Sequence, residues 1–463
     1  MNSEGNKNTY GKVIDLINED NENQSFLLKE DNLLKFKDIA KMSLYLGAKS
    51  IGGPSEHVKL IRDEIVEKNG NMNAQTFQNI LEVCRLLPGY SSSNFLAAIC
   101  TVNTKSIKGG IIALLCYNLP AIISLLIVTT LFNIIKYNVR PKVTNYNPDA
   151  QYFNLHDEAF LFSLMALAAG IVQASLALLL SNSYDISKKL SNTCFQVTLI
   201  LFAGALYYFK SSYYLIVTTM VICGFLTILK GDHDYLFGTY DEKTDNIPYT
   251  GFLCLFVYFI LFIVVYILNC IFSNRYTILA ESSLRMGAIS LGEGHVIVPI
   301  MLGEYKDSME EAEVINGYAI VSLLPGSLLN ISTYAGVVIS NIIGGLISGI
   351  AIFIPGFLFI LTALPIIKSI KMSANLQHFI RGANSAAIGF IFSCAIKLWI
   401  DSCFVNKYTH AIAGTLNVIF CVFLSQNFNI HKTNVLIIGA VLNLTAEIIH
   451  YLTTSKSMKM RLF

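Results

Sequence analysis

Residues 108–136 read KGGIIALLCYNLPAIISLLIVTTLFNIIK, an apolar run with one lysine at each end. No Asp, Glu, Lys or Arg lies between the two lysines. The hydrocarbon core of a bilayer is about 30 Å thick, and a helix needs about 20 apolar residues to cross it. Apolar and polar residues do not alternate along the run, as they would in a membrane β-strand. The run therefore predicts a transmembrane α-helix.

Similar apolar runs recur along the whole chain. Eight more stretches have about the length of a span: 157–181, 190–209, 212–230, 250–273, 341–368, 377–400, 410–425 and 434–453. Hydrophobic residues make up 54% of the 463 residues, and the mean hydropathy is +0.55. The sequence predicts an all-α, polytopic integral membrane protein.

Charged residues are few and unevenly placed. They make up 14% of the chain, against roughly 25% in soluble globular proteins, and 24 of the 64 lie in residues 1–85. So few ionised groups could not cover the surface of a soluble protein of this size. A net charge of +2 also supplies no basic face for nucleic acid. These numbers exclude a soluble enzyme, a disordered chain and a nucleic-acid binder, and make the lipid bilayer the partner of this chain.

Polar segments divide the chain. Residues 1–32 hold seven acids and three lysines, which predicts a disordered tail. Residues 231–249 predict a hydrophilic linker and residues 456–463 a basic C-terminal tail, which leaves two apolar units at 33–230 and 250–455. The ten cysteines show no CxxC spacing and lie mostly in apolar runs. They predict packing residues, so we expect neither a metal nor another cofactor.

The two apolar units share four motifs in the same order. They are GAKSIG at 47–52 and GAISLG at 287–292, LLPG at 86–89 and 323–326, GGII at 109–112 and GGLI at 344–347, and a proline at 120 and 355. The offset drifts only from 240 to 235 residues. This near-constant spacing indicates two homologous halves. Five strong spans precede the second copy, which favours opposite orientations of the halves, the inverted repeat of many secondary transporters.

A proline followed by a glycine interrupts each half at a matched place. Pro88 and Pro325 each stop a helix, and the glycine that follows lets the chain turn. The Ser and Asn residues beyond each break suit helix N-termini, whose free N–H groups and partial positive charge bind anions. We therefore expect broken or re-entrant helices and a substrate-binding site between the halves. Its residues are Arg85, Pro88, Gly89, Tyr90, Ser91, Ser92, Ser93, Pro325, Gly326, Ser327 and Asn330, with Gly52, Gly53, Gly292 and Gly294 from two glycine clusters.

Two titratable residues beside the glycine clusters are candidates for coupling transport to protons. Glu293 lies between Gly292 and Gly294, and His57 follows the first cluster. Blander interpretations stay open for each of these residues. A Pro-Gly pair can be a simple kink, Arg85 can snorkel to the interface, Glu293 can be an interfacial carboxylate, and His57 can be a polar packing residue.

The motifs of both halves resemble those of the chromate ion transporter family in its long, two-domain form. In the first half these are Gly52-Gly53-Pro54 with His57, Arg62, Glu64, Val66, Glu67, Phe77, Leu87-Pro88-Gly89, Gly109-Gly110 and Pro120. In the second half they are Gly292-Glu293-Gly294, Pro299, Leu324-Pro325-Gly326, Gly344-Gly345 and Pro355. The Pro-Gly-Pro of the family reads Pro88-Gly89-Tyr90 and Pro325-Gly326-Ser327 here.

The resemblance implies an oxyanion carrier for chromate or sulfate-like dianions, built from two halves of opposed topology. We expect a secondary active transporter with alternating access, in the plasma membrane rather than in an organelle membrane, and leave a homodimer open. A carrier of an organic anion or neutral solute on the same fold, and an anion channel, are the alternatives. An enzyme is not expected, because the sequence contains no HExxH or GxSxG motif.

Overall fold

The computed structural model describes residues 35–51, 54–144, 155–190, 193–210, 212–231, 250–290, 296–369, 374–400, 403, 411–428, 430 and 432–461. All regular structure in these residues is helical. The first half contains α1 (Phe36–Lys49), α2 (Pro54–Arg62, continued by a π-helix Asp63–Lys68), α3 (Ala74–Leu86), α4 (Ser92–Thr104), α5 (Ile107–Thr144), α6 (Leu155–Leu190), α7 (Cys194–Phe209) and α8 (Tyr213–Lys230).

A separate helix, α9 (Thr250–Phe272), follows the first half. The second half then contains α10 (Arg275–Ile289), α11 (Ile297–Glu304), α12 (Glu311–Leu323), a 3₁₀ turn (Leu328–Asn330) leading into α13 (Ile331–Ile339), α14 (Ile342–Ala351), α15 (Ile354–Ser369), α16 (Ala374–Ile400), α17 (Ala411–Asn427) and α18 (Lys432–Arg461). The predicted N-terminal tail and residues 232–249 of the predicted linker lie outside the described residues, whereas α18 extends into the predicted C-terminal tail.

Five helices in the described part of the chain are long and apolar enough to cross a membrane. They are Ile107–Ile134, Leu253–Phe272, Ile342–Leu364, His378–Ile400 and Thr433–His450. Three more of the predicted spans correspond to the shorter apolar helical stretches Cys194–Phe209 in α7, Tyr214–Lys230 in α8 and Ala411–Asn427 in α17. The prediction of an all-α polytopic membrane protein is confirmed.

The predicted span at 341–368 differs from its first-half counterpart. It is divided into α14 and α15 by a turn at Ile352–Phe353, whereas α5 runs without interruption through Pro120. Proline at position 355 cannot bond back to the carbonyl of Ala351 and clashes with it. Gly356 follows it, where the first half has Ala121, and glycine weakens a helix by about 1 kcal/mol relative to alanine.

Glycines set the close packing of the helices that carry the repeated motifs. A methyl group on Gly47 of α1 would overlap the carbonyl oxygen of Tyr117 in α5, and a methyl on Gly287 of α10 would overlap that of Ile352. A methyl on Gly345 would likewise lie 3.1 Å from the carbonyl oxygen of Thr333. The contacts of Gly47 and Gly287 are equivalent: each lies within one half and packs the first repeated motif against the segment between the Gly-Gly pair and the repeated proline.

The last three helices of the first half pack against the last three helices of the second half. Helix α6 packs against α17 and α18, while α16 packs against α7 and α8. Asn417 donates to Gln173 at 2.8 Å in the first set, and Arg381 donates to Gln196 at 3.1 Å in the second. The Arg381 side chain is 3% exposed, and its Nε and Nη1 have no hydrogen-bond partner within the described part of the chain.

Helix α9 belongs neither to the group of α6, α17 and α18 nor to the group of α16, α7 and α8. It packs against α10 and α15, and most of its large apolar side chains are exposed. Such a surface suits contact with lipid tails rather than with water. Helix α9 therefore adds one apolar crossing between the two halves.

Candidate functional site

The two Pro-Gly turns dock on each other's halves. The amide of Gly89 donates to the carbonyl of Ser290 at 2.7 Å, and the amide of Gly326 donates to the carbonyl of Ser50, also at 2.7 Å. Ser50 and Ser290 each end the Gly-Ala-x-Ser motif of their own half. Each turn is therefore completed by a backbone group of the opposite half.

Both turns need glycine for two reasons. Gly89 has φ +77° and Gly326 has φ +119°, in the left-handed region that favours glycine. A methyl on Gly89 would also overlap Gly356, and a methyl on Gly326 would overlap the Cβ of Ala121. Gly356 and Ala121 each follow the repeated proline of their half. Each turn therefore makes its steric contact, like its hydrogen bond, with the opposite half.

Each turn ends in a capped helix start, as predicted. Ser91 caps α4 by accepting from the amide of Asn94 at 3.2 Å. Ser327 caps the 3₁₀ turn by accepting from the amide of Leu329 at 3.4 Å. The predicted break at each Pro-Gly pair is thus confirmed, but the second half starts with a 3₁₀ turn rather than directly with an α-helix.

An asparagine side chain hydrogen-bonds a backbone carbonyl of each turn. Asn94 Nδ2 donates to the carbonyl of Gly89 at 2.8 Å, and Asn330 Nδ2 donates to the carbonyl of Ser327 at 3.1 Å. Asn330 also donates to Oδ1 of Asn118 in α5 at 3.3 Å. Both asparagines are buried, so these bonds satisfy polar groups that water does not reach.

A hydrogen-bonded chain of side chains lies behind the first turn. His57 Nδ1 is 3.0 Å from Ser92 Oγ, and Tyr117 donates its hydroxyl to the same oxygen at 3.3 Å. The Tyr117 hydroxyl also lies beside the side chain of Ser50, the residue on which Gly326 docks. His57 is 2% exposed and therefore lies inside the protein. The structure connects His57 with both Pro-Gly turns.

The other predicted site residues fall into three groups. Ser92 and Ser93 are buried at the start of α4, and Ser93 lies 2.9 Å from Ser91, Oγ to Oγ. Arg85 is half-buried in the last turn of α3, while Tyr90 is buried in an apolar cluster. Outside the described residues lie Gly52, Gly53, Gly292, Glu293 and Gly294.

Sequence reasoning missed the groups on which the turns dock. Ser50, Ser290 and Tyr117 were not predicted as site residues, although both serines lie in the first repeated motif. The available signal was the repetition itself: a serine retained at matched positions next to a glycine cluster. The backbone role of this serine could not be predicted, because every residue has a carbonyl acceptor whatever its side chain.

Comparison with known proteins identifies the family. The sequence model of the chromate transporter family matches residues 37–228 and 277–444. An uncharacterized transporter of Methanocaldococcus jannaschii is 24% identical over 380 residues, which cover 80% of this chain and 87% of that protein.

Two relatives named as chromate transport proteins match over shorter regions. The one from Pseudomonas aeruginosa is 24% identical over 119 residues, and the one from Cupriavidus metallidurans is 26% identical over 118 residues. Each match covers 25% of this chain and 29% of the relative. No solved structure matches the chain. Because the family model covers most of the sequence, in two regions that each contain one Pro-Gly turn, the chain belongs to the chromate transporter family.

Proposed function

We propose that this protein is a secondary active transporter of a chromate- or sulfate-like oxyanion, which binds between the two halves at the Pro88 and Pro325 turns. The observation that carries the proposal is the reciprocal docking of the turns, Gly89 on Ser290 and Gly326 on Ser50. Transporters with internal repeats bind substrate where discontinuous helices of both repeats meet.

The proposed architecture is an inverted repeat. Contacts of Gln196 with Arg381 and of Gly204 with Gly389 make α7 and α16 parallel. Only residues 191–193 separate α6 from α7, a distance of at most about 14 Å, so α6 ends near the beginning of α16. Because α6 packs along α16 and a helix of its length measures about 54 Å, the two run antiparallel. They are the equivalent helices of the two halves, and α9 supplies the extra crossing between them.

The turns offer the chemistry that a tetrahedral dianion requires. The N-terminus of α4 presents backbone N–H groups and a partial positive charge, with the hydroxyls of Ser91, Ser92 and Ser93 around it. Ser327 and Asn330 supply polar groups at the second turn. Arg85, one turn before the first break, contributes a full positive charge.

Alternating access then requires the docked turns to separate. All these serines are buried, which supports assigning the structure to a closed state in this proposal. Breaking the Gly89–Ser290 and Gly326–Ser50 bonds would let one half rock against the other and expose the serines to one side of the membrane. In this proposal His57 senses protons, because its ring is bonded to Ser92, and Glu293 serves the same purpose in the second half.

The test is uptake of radiolabelled sulfate by proteoliposomes, with chromate as competitor and with or without an imposed pH gradient. We expect saturable uptake that chromate inhibits and that Arg85→Gln abolishes. Arg275→Gln is the matched control, since this arginine is exposed at the start of α10. Equal loss in both variants, or no loss in Arg85→Gln, contradicts an anion site at the first turn.

The same preparation separates the alternatives. Uptake that does not saturate and never exceeds equilibrium indicates an anion channel. No sulfate or chromate uptake by folded protein, with uptake of organic anions instead, indicates a different cargo on the same fold. His57→Gln should reduce the dependence of the rate on the pH gradient, and an unchanged dependence refutes its coupling role.

A further inference from the structure

Three ionisable side chains form a buried cluster on the second half, beside the docking segment. Arg285 Nη1 is 2.8 Å from Glu281 Oε1, and Arg285 Nη2 contacts Glu304 Oε1. Ser282 donates its hydroxyl to the same Glu304 oxygen at 2.9 Å. The carboxylate side chains are 6% and 8% exposed and that of the arginine is 26% exposed. Two carboxylates therefore share one guanidinium away from water.

The cluster joins the two helices that precede and follow the segment on which the first turn docks. Glu281 and Arg285 lie on α10, which ends at Ile289, just before Ser290. Glu304 is the last residue of α11, the next helix along the chain. Since Ser290 accepts the amide of Gly89, the cluster ties the helix that leads into this dock to the helix that follows it.

The charge of the cluster depends on one proton. With both carboxylates ionised it carries a net charge of −1, and with one proton bound it is neutral. A buried net charge is costly, whereas a paired and hydrogen-bonded neutral cluster is not. Among the described residues, no other lysine or arginine lies within ion-pair distance of either carboxylate. Proton loss therefore favours release of Glu304 toward water.

The elements packed around the cluster carry other titratable groups as well. Helix α9 contributes tyrosines and cysteines, α14 contributes none, and α15 carries Lys368 near its end. The helices packed against α11 carry Tyr213, Tyr214, Cys223 and Lys230 (α8), Glu311, Glu313 and Tyr318 (α12), and His378, Arg381, Cys394 and Lys397 (α16). Tyr334 comes from α13, and Tyr305 follows Glu304 directly. Both are neutral phenols near physiological pH, so the two glutamates are the carboxylic acids of the cluster.

The first half has no such cluster at the equivalent places. The offset of 240 residues relates Glu281, Arg285 and Glu304 to Lys41, Tyr45 and Glu64. Lys41 and Tyr45 are exposed, and Glu64 pairs with Lys68 at 2.9 Å instead. Among the described residues, a cluster of ion-paired carboxylates therefore adjoins only the dock of Gly89 on Ser290.

We propose that Glu281, Arg285 and Glu304 form a proton-binding clamp that holds Ser290 in place and thereby controls the Pro88–Gly89 turn. With a proton bound, the clamp is closed and the turn stays docked. Loss of the proton separates Glu304 from α10, and the turn is released while the Gly326–Ser50 dock is unaffected. The consequence of the clamp for transport rests on the proposed function: there, the clamp would tie opening of the substrate site on one side of the membrane to proton release.

Hydrogen–deuterium exchange of the full-length protein in nanodiscs, measured by mass spectrometry over a pH series, tests the clamp without any substrate. After correction for intrinsic exchange, peptides covering 284–290 and 87–93 should open together by up to about tenfold per pH unit, the limit for loss of one proton. In a His57→Gln background, which removes the other proposed proton sensor, the response in 284–290 and 87–93 should remain, and peptides covering 47–51 and 326–332 should not respond.

Variants complete the test. Glu304→Gln and, independently, Glu281→Gln should make exchange in 284–290 independent of pH and keep it slow. Glu67→Gln is the control, because this exposed carboxylate also faces an arginine, Arg62, at 3.8 Å. Wild-type exchange that does not depend on pH, or a pH response retained in both cluster variants, overturns the clamp. A pH response lost in the variants, in protein that moves neither sulfate nor chromate, supports the clamp and refutes the proposed cargo.

Discussion

Replacing Gly326 by alanine tests whether the second turn is seated on α5. The left-handed φ of +119° makes alanine cost about 1–2 kcal/mol in the backbone. The new methyl would also overlap the Cβ of Ala121, and such overpacking costs about 1–3 kcal/mol. We therefore expect Gly326→Ala to lower the free energy of unfolding by about 2–5 kcal/mol.

A second substitution separates the two contributions. Ala121→Gly removes the overlapped Cβ, at a cost of about 1 kcal/mol in helix propensity. In the double variant only the backbone and helix costs remain, so the cycle should show a favourable coupling of about 1–3 kcal/mol between the two positions. Gly89→Ala combined with Ala121→Gly is the control. The methyl at position 89 meets Gly356 rather than Ala121, so the effects of these two substitutions on the free energy of unfolding should add.

The assay is reversible unfolding of the purified protein in mixed micelles with rising SDS content, followed by the loss of helical circular dichroism. A coupling below about 0.5 kcal/mol between Gly326→Ala and Ala121→Gly is within ordinary additivity. That result would refute the seating of the turn on α5. An equal coupling of Gly89→Ala with Ala121→Gly would refute the reciprocal arrangement.

Three further predictions can be measured with the same unfolding assay. Ser92→Ala removes the oxygen shared by a buried histidine and a buried tyrosine and should cost about 1–3 kcal/mol; no loss would show that these groups find other partners. Arg381→Gln reproduces the amide pair that Gln173 makes at the matched place in the bundle and should stabilise by about 1–4 kcal/mol, because it removes a buried charge; a loss of stability would reveal a counter-ion for this arginine. Gly287→Ala brings a methyl against a backbone carbonyl that cannot move aside and should cost about 1–3 kcal/mol, an expectation that wild-type stability of the variant would contradict.

The features that could be predicted from the sequence are those that depend on neighbouring residues in the chain. The Pro88-Gly89 and Pro325-Gly326 pairs predicted helix ends because proline lacks a donor and glycine turns freely, and both ends lie where expected. The serine at position 91 predicted a cap for the same local reason. Hydropathy predicted the membrane-spanning class, since about 20 apolar residues suffice to identify a span.

The features that could not be predicted depend on contacts between distant residues. Ser290 receives its hydrogen bond on a carbonyl, which every residue has, so its identity as a dock could not be read from side chains. The interruption of the span at Ile352–Phe353 lies just before Pro355 and Gly356, and the missing side chain of Gly356 makes room for Gly89. The ion cluster was visible only as separate charges, because Glu281 and Glu304 come together through the fold.

The exchanged hydrogen bonds have a consequence for how the chain is synthesised. The amide of Gly89 finds its acceptor on Ser290, about 200 residues later, and the carbonyl of Ser50 finds its donor on Gly326, later still. At translation rates of 5–20 residues per second, the first turn spends about 10–40 s in the bilayer before its acceptor emerges. During that time its backbone groups lack the partners they have in the finished protein.

Insertion of the first half therefore produces an intermediate that is helical but incomplete. An unsatisfied backbone group in hydrocarbon costs several kcal/mol, so the nascent turn must stay near the interface or be held by the insertion machinery until the second half arrives. Two polypeptides carrying the separate halves would supply each other's missing groups and should assemble when they are co-expressed, while either one alone would be degraded. Maturation of this protein is thus a late event, completed only after Gly326 has left the ribosome.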